Sequence, residues 1–172
     1  MKSWMVIGGV TLLVAILSNV LRPKDVKWFR RLQRPRWLTF EFLIPVIWIT
    51  VFICGAWSAV IVWESDPGSQ KTWWLMGFYL LVELVIVAYS PLTLWTHNLK
   101  VGTIVGGLGS VLGLILTLLV LPISGWAAAL LLPYLIWSPI GTYTTWVMDK
   151  LNPPRGEGHE NEPDPVTSDP WQ

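Results

Sequence analysis

The sequence predicts an all-α integral membrane protein, a bundle of five transmembrane helices. Three observations point there. Hydrophobic residues make up 53% of the 172-residue chain, and the mean hydropathy is +0.52. The 13 tryptophans are far more than a soluble domain of this size carries, and tryptophan is the residue that settles at membrane interfaces. The apolar residues gather in five runs, each close to the roughly 20 residues needed to cross a hydrocarbon core.

The first run extends from about Trp4 to Leu21. It ends in "ILSNVLRPKD", where cations follow the apolar stretch in place of the small residues that precede a signal cleavage site, so it reads as a retained first helix. The second run is Phe42 to Trp63 and the third Trp73 to Trp95. The fourth, Val101 to Leu121, carries glycines at 102, 106, 109 and 113, a smooth stripe suited to close helix approach. That stripe serves either a homodimer interface or packing against the fifth helix, which follows the short turn "PISG" and extends from Ser124 to Met148.

Charge sets an expected orientation. Arg22, Lys24, Lys27, Arg30, Arg31, Arg34, Arg36, Lys100, Lys150 and Arg155 fall on one side of this topology, and Lys2 and Lys71 on the other. Positive charge is retained on the cytoplasmic face, which puts the N-terminus outside and the C-terminus in the cytoplasm. With a formal net charge of +1 and its bases sitting between apolar runs, the chain offers no nucleic-acid surface. The expected partners are the lipid bilayer and a hydrophobic small molecule.

Residues 1–152 form the membrane domain, with 22–41 a lid-like cytoplasmic loop. The stretch 153–172, rich in Pro, Gly and acids, reads as a disordered acidic tail, and its His159 as a solvated residue. Cys54, alone in an apolar run, excludes an intramolecular disulfide. No phosphate-binding loop, dinucleotide fingerprint or metal-binding histidine motif occurs, and no nucleophile or acid–base pair stands out, so no catalytic residue and no metal ligand is assigned.

Glu83 is the acid placed well inside a span, where a carboxylate is costly and marks a candidate function. Tyr79, one turn earlier, and Thr144 on another helix are its candidate partners. A structural hydrogen bond and a ligand contact are equally open for it. On the fifth segment Pro133, Trp137, Gly141 and Thr145 share one helical face, as do Trp48, Phe52 and Ala56 on the second. By periodicity alone such stripes are more often packing than pocket.

The order of motifs weighs for a pocket. "WFRRLQRPRW", residues 28–37, presents an aromatic pair, Leu32, then Arg34, Pro35 and Trp37. Trp48 follows eleven residues on, then Phe52 and Val62–Trp63, then Ala88, Tyr89 and Pro91, and finally "LLLPYLIW" from Leu130 to Trp137. In these features residues 4–152 resemble the TspO/MBR family, the translocator proteins. The resemblance implies five membrane helices, frequent dimerisation, and a pocket for tetrapyrroles such as protoporphyrin IX or a haem-like molecule, with no cofactor required. The implied roles are sensing, scavenging or regulation, with transport, light-dependent porphyrin modification and scaffolding of a membrane complex as alternatives.

The ligand-binding residues expected on this basis are Trp28, Arg34, Trp37, Trp48, Phe52, Glu83, Tyr134, Trp137 and Gly141. In the lid, Trp28 and Trp37 are expected to pack the loop down, while Arg30, Arg31, Arg34 or Arg36 meet anionic groups. The sequence departs from the family at Thr39 and Phe40, where it has Pro-Pro. It departs again at Ile86 and Val87 (Asn and Trp in the family), near Val105 (Asp) and near Thr145 (Asn).

Overall fold

The computed structural model describes residues 2–17 and 23–153. The tail expected from 153 onward, and Arg22 and Arg155 with it, therefore lie outside the described residues apart from Pro153. The described chain is helical: α1 Ser3–Leu17, α2 Pro23–Arg30, a 3-10 turn Glu41–Leu43, α3 Ile44–Ser65, α4 Gln70–Thr96, α5 Leu99–Val120, α6 Gly125–Ala129 and α7 Leu132–Leu151. The stretch Glu41–Ser65 and helices α4 and α5 are each long and apolar enough to span a bilayer, whereas the apolar stretch Ser3–Ile16 of α1 is shorter. The chain is an integral membrane protein built as a helical bundle.

Local chemistry sets the helix ends. Between α3 and α4, Gly68 takes a φ of 81°, a left-handed turn that a side chain would strain. Ser69 then caps α4, its hydroxyl accepting from the Thr72 amide at 3.1 Å. At the far end of α4, His97 itself adopts the left-handed conformation (φ 49°). Asn98 immediately caps α5 by accepting from the Lys100 amide at 2.9 Å, so two antiparallel spans turn over in two residues.

Two elements differ from the sequence expectation. The loop 22–41 contains the helix α2, whose proline opens the first turn, with Asp25 beside it and Lys27 and Arg30 in the last turn, the charge order that a helix dipole favours. The run from Ser124 to Met148 is two helices. Pro133 has no amide hydrogen with which to continue α6, so the chain turns at Leu130–Leu131 and restarts as α7 with the proline in its first turn.

The bundle is apolar inside and outside, as a protein dissolved in lipid should be. Ile49, Ile53 and Trp57 of α3 and Ile104, Leu108 and Val111 of α5 are exposed, and in a bilayer they face acyl chains. The interior is held by close packing and a few hydroxyl bonds. Fully buried Ser58 is 2.6 Å from the Tyr79 hydroxyl and donates to the Ala127 carbonyl at 2.7 Å, joining α3, α4 and α6.

The glycine stripe is used within the chain. A Cβ on Gly106 would come within 2.5 Å of Thr142 Oγ1, and one on Gly109 within 2.8 Å of the Tyr134 hydroxyl. At Gly113 a Cβ would run into the Tyr134 ring. Of the two uses expected for this stripe, packing against the last helix is the one observed. α5 packs most extensively against α7 and α4, while α1 lies against α3 and α4.

Candidate functional site

Helices α3, α4, α5 and α7 enclose a cavity of about 380 Å³, within the range usual for small-molecule pockets. Trp48 and Phe52 come from α3, one turn apart with ring centroids 6.3 Å from each other. Tyr134, Trp137, Gly141 and Thr145 line it from α7, the face that a four-residue spacing puts in register. Gly106 and Gly109 of α5 also border it, at the points where they let Thr142 and Tyr134 of α7 pack close. A Cβ on Gly141 would meet nothing within 4 Å, so that position opens onto free space.

The segment before α3 closes one end. Phe29, Arg34, Leu38 and Glu41 are on the lining, and Arg34 Nη1 is bonded to the Glu41 carboxylate. The Arg34 guanidinium also lies 5.8 Å from the centre of the Phe29 ring. Outside the cavity the same segment is tied down at several points. Phe40 meets Trp137 edge-on at 6.4 Å, and Trp37 stacks on Tyr143 at 6.3 Å. Each aromatic contact of this kind contributes about 0.5–1.5 kcal/mol. The Gln33 amide donates to Asn152 Oδ1 at 2.8 Å, and Asn152 Nδ2 donates back to the Gln33 carbonyl at 2.9 Å. At the start of the segment, Trp28 packs against His97 at 4.8 Å, and His97 Nε2 lies 3.2 Å from buried Asp25.

Of the nine expected site residues, the structure brings six onto the cavity wall: Arg34, Trp48, Phe52, Tyr134, Trp137 and Gly141. Three stand elsewhere. Trp28 belongs to α2, and the helical turn carries its ring to the end of α4 instead of the cavity. Trp37 is 43% exposed and clasps the outer side of α7 through Tyr143. Both fasten the segment from outside the cavity. Arg30, Arg31 and Arg36 are exposed and off the lining, so of the four lid arginines only Arg34 reaches it.

Glu83 also lies outside this cavity. Its Oε1 accepts from Thr11 of α1 at 2.6 Å, a partner neither Tyr79 nor Thr144 provides. Tyr79 is engaged with Ser58, and Thr144 donates to its own helix at the Ile140 carbonyl. Glu83 borders a separate space of about 30 Å³ and is screened from the larger cavity by Phe52, Ile86 and Tyr134, which line both. Its observed bond ties α1 to α4.

The helical positions that depart from the motif pattern converge on the cavity, whereas Thr39 and Phe40 lie off its lining. Ile86, Val87, Val105 and Thr145 all line it, and the Thr145 hydroxyl is hydrogen-bonded to that of Tyr89. Ser138 is likewise engaged, 2.9 Å from Ser110, and Thr142 donates to the Ser138 carbonyl at 2.8 Å. The wall is thus more apolar than the motif pattern implies, and its hydroxyls are largely satisfied within the protein.

This arrangement of aromatic pocket, capping segment and motif order coincides with the result of sequence comparison. The TspO/MBR family profile matches residues 6–151. The chain belongs to the TspO/MBR family. It is 29% identical over 151 residues to the "tryptophan-rich protein TspO" of Bacillus cereus, covering 88% of this chain and 97% of that protein. It is 28% identical over 138 residues to the uncharacterized membrane protein YtaB of Bacillus subtilis, covering 78% and 86% respectively. Protein CrtK of Rhodobacter capsulatus is 25% identical over 127 residues, or 73% of this chain and 79% of that protein.

Sequence reasoning missed Glu41 altogether, and it named Phe29, Phe40 and Tyr89 in the motif comparison without assigning them to the site. Glu41 and Arg34 are seven residues apart across Pro35 in non-periodic chain, a spacing with no helical or strand register to announce the contact. Phe40 stands at a departure from the family pattern, and its contact with Trp137 crosses from loop to α7.

Proposed function

We propose that this TspO/MBR protein binds a planar, largely apolar molecule of the tetrapyrrole class in the cavity between α3, α4, α5 and α7, in a sensing, scavenging or regulatory role. The observation that carries the reading is the lining itself: the indole and phenyl rings of Trp48, Phe52 and Trp137 stand around a cavity that is open beside Gly141. Such a slot suits a flat ring system, because the aromatic side chains supply stacking area and the missing side chain at Gly141 leaves room for its thickness. Arg34 at the loop end supplies a cation for an acidic edge group. The access route is from the side of the capping segment, which the positive-inside bias assigns to the cytoplasm.

The test is a titration of the purified protein in detergent with protoporphyrin IX, followed by the shift of the porphyrin absorption band. Saturable one-to-one binding supports the reading, and absorption indistinguishable from porphyrin in empty micelles, for protoporphyrin IX and for its methyl esters alike, rejects it. Cavity-lining Trp48 and Trp137 also favour a second reading, in which light drives oxidation of the bound porphyrin by dissolved dioxygen, which is reduced as the porphyrin is oxidised. Illumination with and without the protein, followed by the loss of porphyrin absorption, separates turnover from binding.

A further inference from the structure

Arg34 and Glu41 are the charged side chains on the cavity lining, and they are bonded to each other. Their side chains are 35% and 34% exposed, so the pair stands at the boundary between cavity and solvent. Both belong to the capping segment: Arg34 precedes Pro35, and Glu41 opens the 3-10 turn leading into α3. We propose that Glu41 is the specificity-determining counter-ion of the site, neutralising Arg34 and biasing the cavity against ligands that carry two anionic groups. This inference rests on the ligand class proposed above and specifies its charge.

The reason is a count of donors. A guanidinium has five N–H groups, and Glu41 engages Nη1. The Phe29 ring lies beside Arg34 at 5.8 Å, fixing where the fork points. A single ligand carboxylate can therefore take the remaining donors of Arg34, leaving the cation shared between two acids. A second carboxylate finds no further cation on the wall among the described residues. The hydroxyls of Tyr89 and Thr145 are bonded to each other, Ser138 to Ser110, and Thr142 and Thr144 to backbone carbonyls of their own helix. Arg30, Arg31 and Arg36 are exposed and off the lining. The charge of Glu41 adds repulsion to that shortage. With both partners about a third exposed, the effect of each charge is damped by solvent, and a change of about fivefold per removed charge is the expected scale.

The experiment titrates the full chain in neutral detergent with protoporphyrin IX, which carries two carboxylates, and with its monomethyl and dimethyl esters, reading tryptophan quenching. Wild type, Glu41→Gln, Arg34→Gln and the double variant are compared. Taking each probe as a ratio between proteins removes its own partition into detergent. The ratio of diacid to diester affinity is expected to rise about fivefold in Glu41→Gln and to fall about fivefold in Arg34→Gln, with the monoester between the two. Glu41→Asp, which keeps the charge, should restore the wild-type ratio and serves equally if the glutamine variant fails to fold.

If Glu41→Gln moves all three probes by the same factor, the residue is a structural latch and the proposal is overturned while the ligand class stands. The proposal is equally overturned if Arg34→Gln leaves the ratio unchanged. No saturable binding of any of the three probes to wild type overturns the proposed ligand class, and this inference with it.

Discussion

Gly141→Leu separates a cavity from mere packing. Gly141 lies in α7 on the face that carries Trp137 and Thr145, and a Cβ there would meet no atom within 4 Å. The first atom of a leucine side chain therefore meets no clash at this position, while helix propensity favours leucine over glycine by about 0.5–1 kcal/mol. The variant should unfold at the same temperature as wild type or a few degrees higher. Its isobutyl group enters the space that the proposed ligand uses, and overfilling of this kind costs about 1–3 kcal/mol, which is a loss of roughly five- to 150-fold in affinity.

Gly113→Ala is the matched contrast. There the added methyl runs into the Tyr134 ring, so it should lower thermal stability by about 1–3 kcal/mol through strained α5–α7 packing. Both are read by thermal unfolding in detergent and by porphyrin titration. If Gly141→Leu destabilises the protein as Gly113→Ala does, the space beside Gly141 is not open. If it is stable and binds porphyrin as wild type does, the ligand is not in this cavity.

Further expectations concern the tethers around the site. Thr11→Val keeps the shape of a buried side chain but removes the hydroxyl that donates to Glu83, and should cost about 1–3 kcal/mol in thermal stability. Glu83→Gln retains a carbonyl acceptor and should cost less; equal losses for the two would mean that the bond does not hold α1. Asn152→Ala removes both hydrogen bonds to Gln33, so hydrogen exchange of peptides covering residues 31–38 should quicken by roughly tenfold with little change in melting temperature. Unchanged exchange would show that the aromatic contacts alone hold the segment.

The spans were the most legible part of the sequence because membrane insertion is decided by a one-dimensional property, the length of an apolar run. Helices α3, α4 and α5 begin and end within three residues of the apolar runs that announce them. The break before α7 was less visible because apolar character continues through it, although Pro133 marks the place where a helix must restart. Helix α2 was hidden by its brevity and by a charge density that reads as loop.

The same division holds at the site. The α7 wall follows from a four-residue spacing within one helix, and Trp48 with Phe52 from the same rule in α3. Glu83 and Thr11 are 72 positions apart, and the Arg34–Glu41 pair crosses an irregular segment, so neither contact has a periodicity to reveal it. Trp28 shows the converse limit: a motif names a residue, but the helix carrying it decides which way the ring faces.

Whether the aromatic wall holds a planar ligand is tested most directly by replacing Trp48 and Trp137 together with phenylalanine. Thirteen tryptophans are present in the chain, so those left still report quenching by protoporphyrin IX. The expected result is a folded variant whose saturable quenching is weakened about tenfold or more, because each indole supplies stacking area that a phenyl ring only partly replaces. Quenching that saturates at the same porphyrin concentration in the folded variant and wild type would contradict a ligand held by these rings.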